Sequence, residues 1–142
     1  MRKAFAGLAA LFLLAVVVQF FLAASGAFNT APNDESFRPH RTLGYVIFLL
    51  AVVLVIVAAL ARMSGRLIGM AGLVAGLVVV QVLIAALARA FDTGDITTTA
   101  GQLIFGLHAV NGLAIVAVSA RILRQARALA SRPVAGPAPT AS

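Results

Sequence analysis

Val78-Val79-Val80-Gln81-Val82-Leu83-Ile84 sets one carboxamide in a run of branched apolar side chains, and His108-Ala109-Val110-Asn111-Gly112 follows it. The same order occurs earlier, as Val16-Val17-Val18-Gln19-Phe20-Phe21-Leu22 and then His40-Arg41-Thr42-Leu43-Gly44. Each half of the chain thus has a Gln deep in one apolar run and a His-x-x-x-Gly opening the next. A repeat of this length predicts a duplicated two-helix unit. The expected fold class is all-α: an integral membrane four-helix bundle built from two repeated helical hairpins.

Composition points the same way. The 142 residues are 62% hydrophobic and only 11% charged, with a mean hydropathy of +1.06. A soluble domain of this size cannot hide so much apolar surface, and long apolar runs are the mark of membrane spans. The chain has no Cys, which excludes disulfides, Cys-ligated iron–sulfur clusters and thiol catalysis. Its net charge of +7 is segregated. Arg2, Lys3, Arg62, Arg66, Arg121, Arg124, Arg127 and Arg132 fall on one side of the expected topology; Asp34, Glu35, Asp92 and Asp95 fall on the other. Such a bias reads as positive-inside, with both termini cytoplasmic in a bacterial plasma membrane, and not as a nucleic-acid-binding face.

The first apolar run covers residues 4–28. It is longer than a signal-peptide core and matches residues 66–91 as a repeat copy, so it is expected to stay as a span. Residues 29–37 read as a polar outer loop. The other spans are expected at about 39–61, 67–90 and 99–122, each near the length that crosses a hydrocarbon core. Pro39 suits a first helical turn, and Thr97-Thr98-Thr99 offers N-cap chemistry. Residues 1–128 make one transmembrane domain in this reading, and 129–142, rich in Pro and Ala, a disordered cytoplasmic tail. Gly65, Gly69, Gly72 and Gly76 share one helix face, suited to close helix packing or to a homo-oligomer.

Polar groups inside apolar runs need partners or a purpose. They are Gln19, Gln81, His108, Asn111, Ser119 and Gln102, with His40 at the outer boundary. One reading makes the histidines interhelical glue, hydrogen-bonded to Gln or Asn. The other makes His40 and His108 axial ligands of a haem b, since imidazole is a preferred haem ligand and a bundle can bring repeat positions together. Gly44 and Gly112, four residues on, would then clear room for a flat ring, with Gln19 and Gln81 as inward supporting groups. Arg38, Arg41 and Arg89 would face the propionates. Depth opposes this: His40 falls in the first turn of its span and His108 about nine residues in, a separation of about 12 Å at 1.5 Å per residue.

The pattern Gln19-Phe-Phe-Leu…His40-Arg-Thr-Leu-Gly44 with Gln81-Val-Leu-Ile…His108 resembles one four-helix half of the heme A synthase family. That resemblance implies a haem site made by histidines near the outer ends of the second and fourth helices. The second copy departs from it with His108-Ala109, and Phe37 stands where the family has a glutamate three residues before the first His. Synthase activity is therefore not expected. Over residues 4–125 the chain also resembles a family of small uncharacterised four-helix bacterial membrane proteins. Phe-Arg-Pro-His-Arg-Thr-Leu-Gly-Tyr (37–45) and Leu-His-Ala-Val-Asn-Gly (107–112) carry that resemblance.

No Ser-His-Asp set, P-loop or intramembrane carboxylate is present, so a stand-alone enzyme or an ion carrier is not expected. The expected function is one-electron transfer through bis-His haem b, in exchange with quinone or a redox partner protein. The competing expectation is a cofactor-free structural or accessory bundle, a homo-oligomer or a partner subunit. The discriminating feature is whether His40 and His108 converge with an open cavity between them or are separated and individually hydrogen-bonded.

Overall fold

The computed structural model describes residues 1–91 and 98–131. All regular structure among them is helical: α1 (Arg2–Ala27), α2 (Asn33–Ser36), α3 (Arg38–Leu60), α4 (Gly65–Ala90) and α5 (Thr99–Ala130). The four long helices are each apolar enough to cross a membrane, and at most 28% of the most apolar stretch of any of them is buried inside the bundle. The apolar surplus therefore lies on the outside. Leu14, Phe21, Leu49, Leu60, Val82 and Leu113 are all exposed, an outer surface that suits hydrocarbon and not water. The segments expected to be loop 92–97 and a tail beyond 131 lie outside the described residues.

Around the bundle, α1 packs on α3 and α5, and α4 packs on the same two. Helices α3 and α5 therefore face each other across a diagonal. The basic end holds Arg2, Lys3, Arg62, Arg66, Arg121, Arg124 and Arg127; Asp34 and Glu35 sit at the opposite, acidic end.

The apolar core fills only the basic half. Phe5, Ala9, Phe12 and Val16 of α1 interlock with Ile47, Ala51, Leu54 and Ala58 of α3. Leu67, Ala71, Val74 and Val78 of α4 and Ile115, Ile122, Leu123 and Ala126 of α5 complete it. Towards the acidic end, the buried residues among those described are Gly26, Ser36, Ala88, Gly101 and Gly112, all small. No large side chain is fully buried there. Half of this bundle has a packed interior, and the other half brings its polar groups together instead.

The helix ends follow local chemistry. Thr98 caps α5, its hydroxyl accepting from Gly101 N at 3.1 Å. Pro39 lies in the first turn of α3, where its missing N–H costs nothing. The α3–α4 turn closes with Met63 N donating to Ala58 O at 3.0 Å and Arg62 N to Ala59 O at 2.9 Å, the paired bonds of a Schellman ending. Arg62 takes the left-handed position there, at φ 49°. Helix α5 continues to Ala130, eight residues beyond the expected end of its span. It can do so because Ile122, Leu123 and Ala126 keep an apolar edge against the core.

One expectation is corrected here. Residues 29–37 contain the short helix α2, and this segment folds back beside the end of α1. A Cβ on Gly26 would stand 2.9 Å from Ser36 O and 3.0 Å from the Phe37 ring. Helix α3 therefore starts well below the top of α1. Its first turn is level with Gln19, eight residues before the α1 end, a descent of about 12 Å. The depth difference expected between His40 and His108 is cancelled by this fold-back.

Candidate functional site

Two clasps organise the acidic half. In the first, Gln19 of α1 donates from Nε2 to His40 O at 2.9 Å, and His40 Nδ1 donates back to Gln19 O at 3.2 Å. In the second, Gln81 of α4 donates from Nε2 to His108 O at 2.7 Å, and His108 Nδ1 donates to Gln81 O at 3.2 Å. Both copies of the Gln/His pattern thus form the same reciprocal pair of bonds between adjacent antiparallel helices. A backbone carbonyl can only accept, so each Nδ1 carries the proton and each Nε2 keeps its lone pair.

These clasps bring the imidazoles together. The His40 and His108 ring centroids are 6.2 Å apart, with their planes inclined at 49°. Since α3 and α5 lie on the diagonal, the rings meet between α1 and α4. Phe105 stacks on His108, with centroids 5.0 Å apart and planes 5° from parallel. Phe37 meets His40 edge-on at 6.2 Å. Both are three residues before their histidine, so the repeat reads Phe-x-x-His-x-x-x-Gly. Sequence reasoning missed the phenylalanines, although the matching spacing would have revealed them.

The copies then diverge. Asn111 Nδ2 donates to Gln81 Oε1 and, at 2.9 Å, to Leu77 O, so the Gln81 oxygen in the second clasp has a partner. In the first copy Leu43 occupies the matching place, three residues after His40. Gln19 Oε1 is consequently buried with no hydrogen-bond partner. The second N–H of that amide points to His40 Nε2 at 3.3 Å. Among the described residues, no hydrogen bond reaches His108 Nε2.

The remaining expected residues are placed as follows. A Cβ on Gly112 would lie 2.9 Å from Phe20 Cζ, and one on Gly44 would lie 3.4 Å from Gln19 Nε2. The space beside each glycine is thus taken by the tip of a side chain from α1. Arg41 pairs with Asp34 of α2, at 3.4 Å between Nη1 and Oδ1, and also donates to the Asp34 carbonyl. Arg41 and Arg89 are close enough to His40 and His108, respectively, to act on them electrostatically. Arg38 is exposed and makes no side-chain contact of that kind among the described residues. Gln102 is exposed, and buried Ser119 satisfies itself by donating to Ile115 O at 2.6 Å, so neither joins the cluster. A Cβ on Gly65, Gly69, Gly72 or Gly76 would meet nothing within 4 Å, so these glycines lie along an open face of α4.

Among the described residues, no group of three or more His, Cys, Asp or Glu could hold a metal ion. Any metal bound here would have two protein ligands and must bring its remaining ones with it, as a porphyrin does. A family model described as a family of unknown function, DUF6220, matches residues 19–89. That span runs from Gln19 of the first clasp through Gln81 of the second to Arg89. No curated protein and no solved structure matches the chain.

Proposed function

The chain belongs to the DUF6220 family of unknown function, and we propose that it is a membrane-spanning cytochrome whose single haem b is ligated by His40 and His108. The observation that carries this reading is the pairing of two imidazoles, each with Nδ1 donated to a carbonyl, at 6.2 Å between ring centres. Histidines that ligate metals commonly direct one ring N–H to a carbonyl, which fixes the tautomer and frees the other nitrogen. His40 and His108 would hold the group between their Nε2 atoms once the Gln19 N–H turned away from His40.

The groups now against Gly44 and Gly112 are the Gln19 amide and the edge of the Phe20 ring, which can turn aside more easily than backbone. Gln19 and Gln81 hold the imidazoles in orientation through their carbonyls. Arg41 and Arg89 would neutralise the propionates, and Arg38 would add charge at the same rim.

Haem iron with two protein ligands supplies one-electron transfer, so the partner would be a quinone in the lipid or a redox protein docked at the acidic end. The four spans would form two repeated hairpins, with the basic end on the cytoplasmic side of a bacterial plasma membrane. A cofactor-free structural bundle is the second reading, favoured by the fact that Phe20 and Gln19 already fill the space at the glycines.

Purification in detergent from haem-replete cells, with spectra before and after dithionite, separates the two. A Soret band with a sharp α-band on reduction, lost in His108→Ala, is expected. A protein that stays colourless when haem is added refutes the cytochrome reading and leaves the histidines as packing groups.

A further inference from the structure

We infer that one exposed face of α5 binds anionic phospholipid. Arg121, Arg124 and Arg127 hold the headgroup phosphate, and the apolar residues above them lie beside the acyl chains. The inference rests on the membrane-spanning reading and on no cofactor, so it stands for loaded and colourless protein alike.

The strip follows from the spacing along the helix. Val110, Leu113, Ala117, Arg121, Arg124 and Arg127 recur at intervals of three and four, so they share one side of α5. All six are exposed, while Ile115, Ser119, Ile122, Leu123 and Ala126 between them are buried. Val110 and Leu113 are 63% and 62% exposed. The face therefore changes from apolar to cationic within one turn, between Ala117 and Arg121.

That change has the dimensions of a bilayer boundary. The three arginines are spread over six residues, about 9 Å along the axis, and a headgroup layer is about 5–8 Å thick on each side of the hydrocarbon. An arginine stem can lie along apolar surface while its guanidinium grips a phosphate with two parallel N–H bonds.

Nothing in the chain balances this charge. Helices α1 and α4 flank α5 and add Arg2, Lys3 and Arg66 in their own first turns. Helix N-termini are already positive, so cations there strengthen the field. Asp34 and Glu35, the carboxylates among the described residues, lie at the opposite end.

A nucleic acid is the other polyanion that a basic cluster can take. Its bases would need exposed aromatic rings to stack on. The aromatic residues within 1–17, 60–78 and 115–131 are Phe5 and Phe12, and both are fully buried. The apolar continuation through Leu113 and Val110 suits a lipid and has no use for a phosphodiester chain.

Protein reconstituted in phosphatidylcholine vesicles should be probed with trace spin-labelled phosphatidylglycerol or phosphatidylcholine. Electron paramagnetic resonance then reads the fraction of label immobilised on the protein. Wild type is expected to favour phosphatidylglycerol about fivefold, the effect of one cation near a membrane surface. Changing Arg121, Arg124 and Arg127 together to Gln should abolish the preference, and Arg124→Gln alone should about halve it, with far-UV circular dichroism unchanged. Equal association of the two lipids with wild type, or a preference that the Gln variants retain, overturns the inference. Displacement of the labelled phosphatidylglycerol by single-stranded RNA overturns it in favour of nucleic acid. A protein that does not enter vesicles refutes the membrane reading, and the lipid strip with it.

Discussion

Gln19→Leu and Gln81→Leu make the same chemical change at matching positions, yet their effects on the cofactor-free protein should differ in sign. Gln81→Leu removes the bonds from Nε2 to His108 O and from Asn111 Nδ2 to Oε1. Interhelical side-chain hydrogen bonds in membrane proteins are worth about 0.6 kcal/mol on average and at most about 1.7. The expected loss is therefore about 1–2 kcal/mol, with Asn111 retaining only Leu77 O. Gln19→Leu removes one bond of that quality and one long contact, a loss of about 0.6–1 kcal/mol. It also removes the buried unpaired Oε1, and an orphaned buried acceptor costs about 1–3 kcal/mol. The net effect should lie between neutral and about 2 kcal/mol of stabilisation. Leucine is close to glutamine in volume, so neither change opens a large cavity. The measurement is unfolding in mixed micelles by SDS titration, followed by far-UV circular dichroism. Equal losses in the two variants, or a larger loss for Gln19→Leu, would refute the claim that the two clasps are unequally satisfied.

Other outcomes follow from backbone and packing. Gly112→Ala puts a methyl 2.9 Å from Phe20 Cζ, whereas Gly44→Ala meets only an ordinary contact at 3.4 Å. The first should cost about 1–2 kcal/mol through a displaced ring, and the second less than about 0.5, by the same titration. Arg62→Gly relieves a left-handed residue at φ 49° and should stabilise by about 0.5–1 kcal/mol. A loss on that change would mean that the guanidinium makes a contact that outweighs the strain.

The apolar runs made the four long helices legible, because nothing but a membrane or a very large core tolerates runs of that length. The pairing of each Gln with its own His was legible as well, since a repeat sends like residues to like places. The depth of His40 was not. It depends on how residues 28–37 fold back beside Gly26, and no periodicity records the path of a ten-residue connection. Gly44 and Gly112 were read as room for a ring, but a His-x-x-x-Gly spacing cannot tell which neighbour uses the room; Phe20 and Gln19 do. Leu43 against Asn111 could have been seen, being a plain mismatch between the two copies. Its meaning required knowing that Gln19 Oε1 is sealed from every donor.

The confinement of the packed core to the basic half also divides the molecule in time. Amide hydrogens of Phe12, Leu54, Val74 and Ile122 should exchange only when the whole bundle opens, while those near His40 and Arg89 exchange through smaller, more frequent excursions. A chain built in this way can keep its basic end folded while its acidic end samples open states.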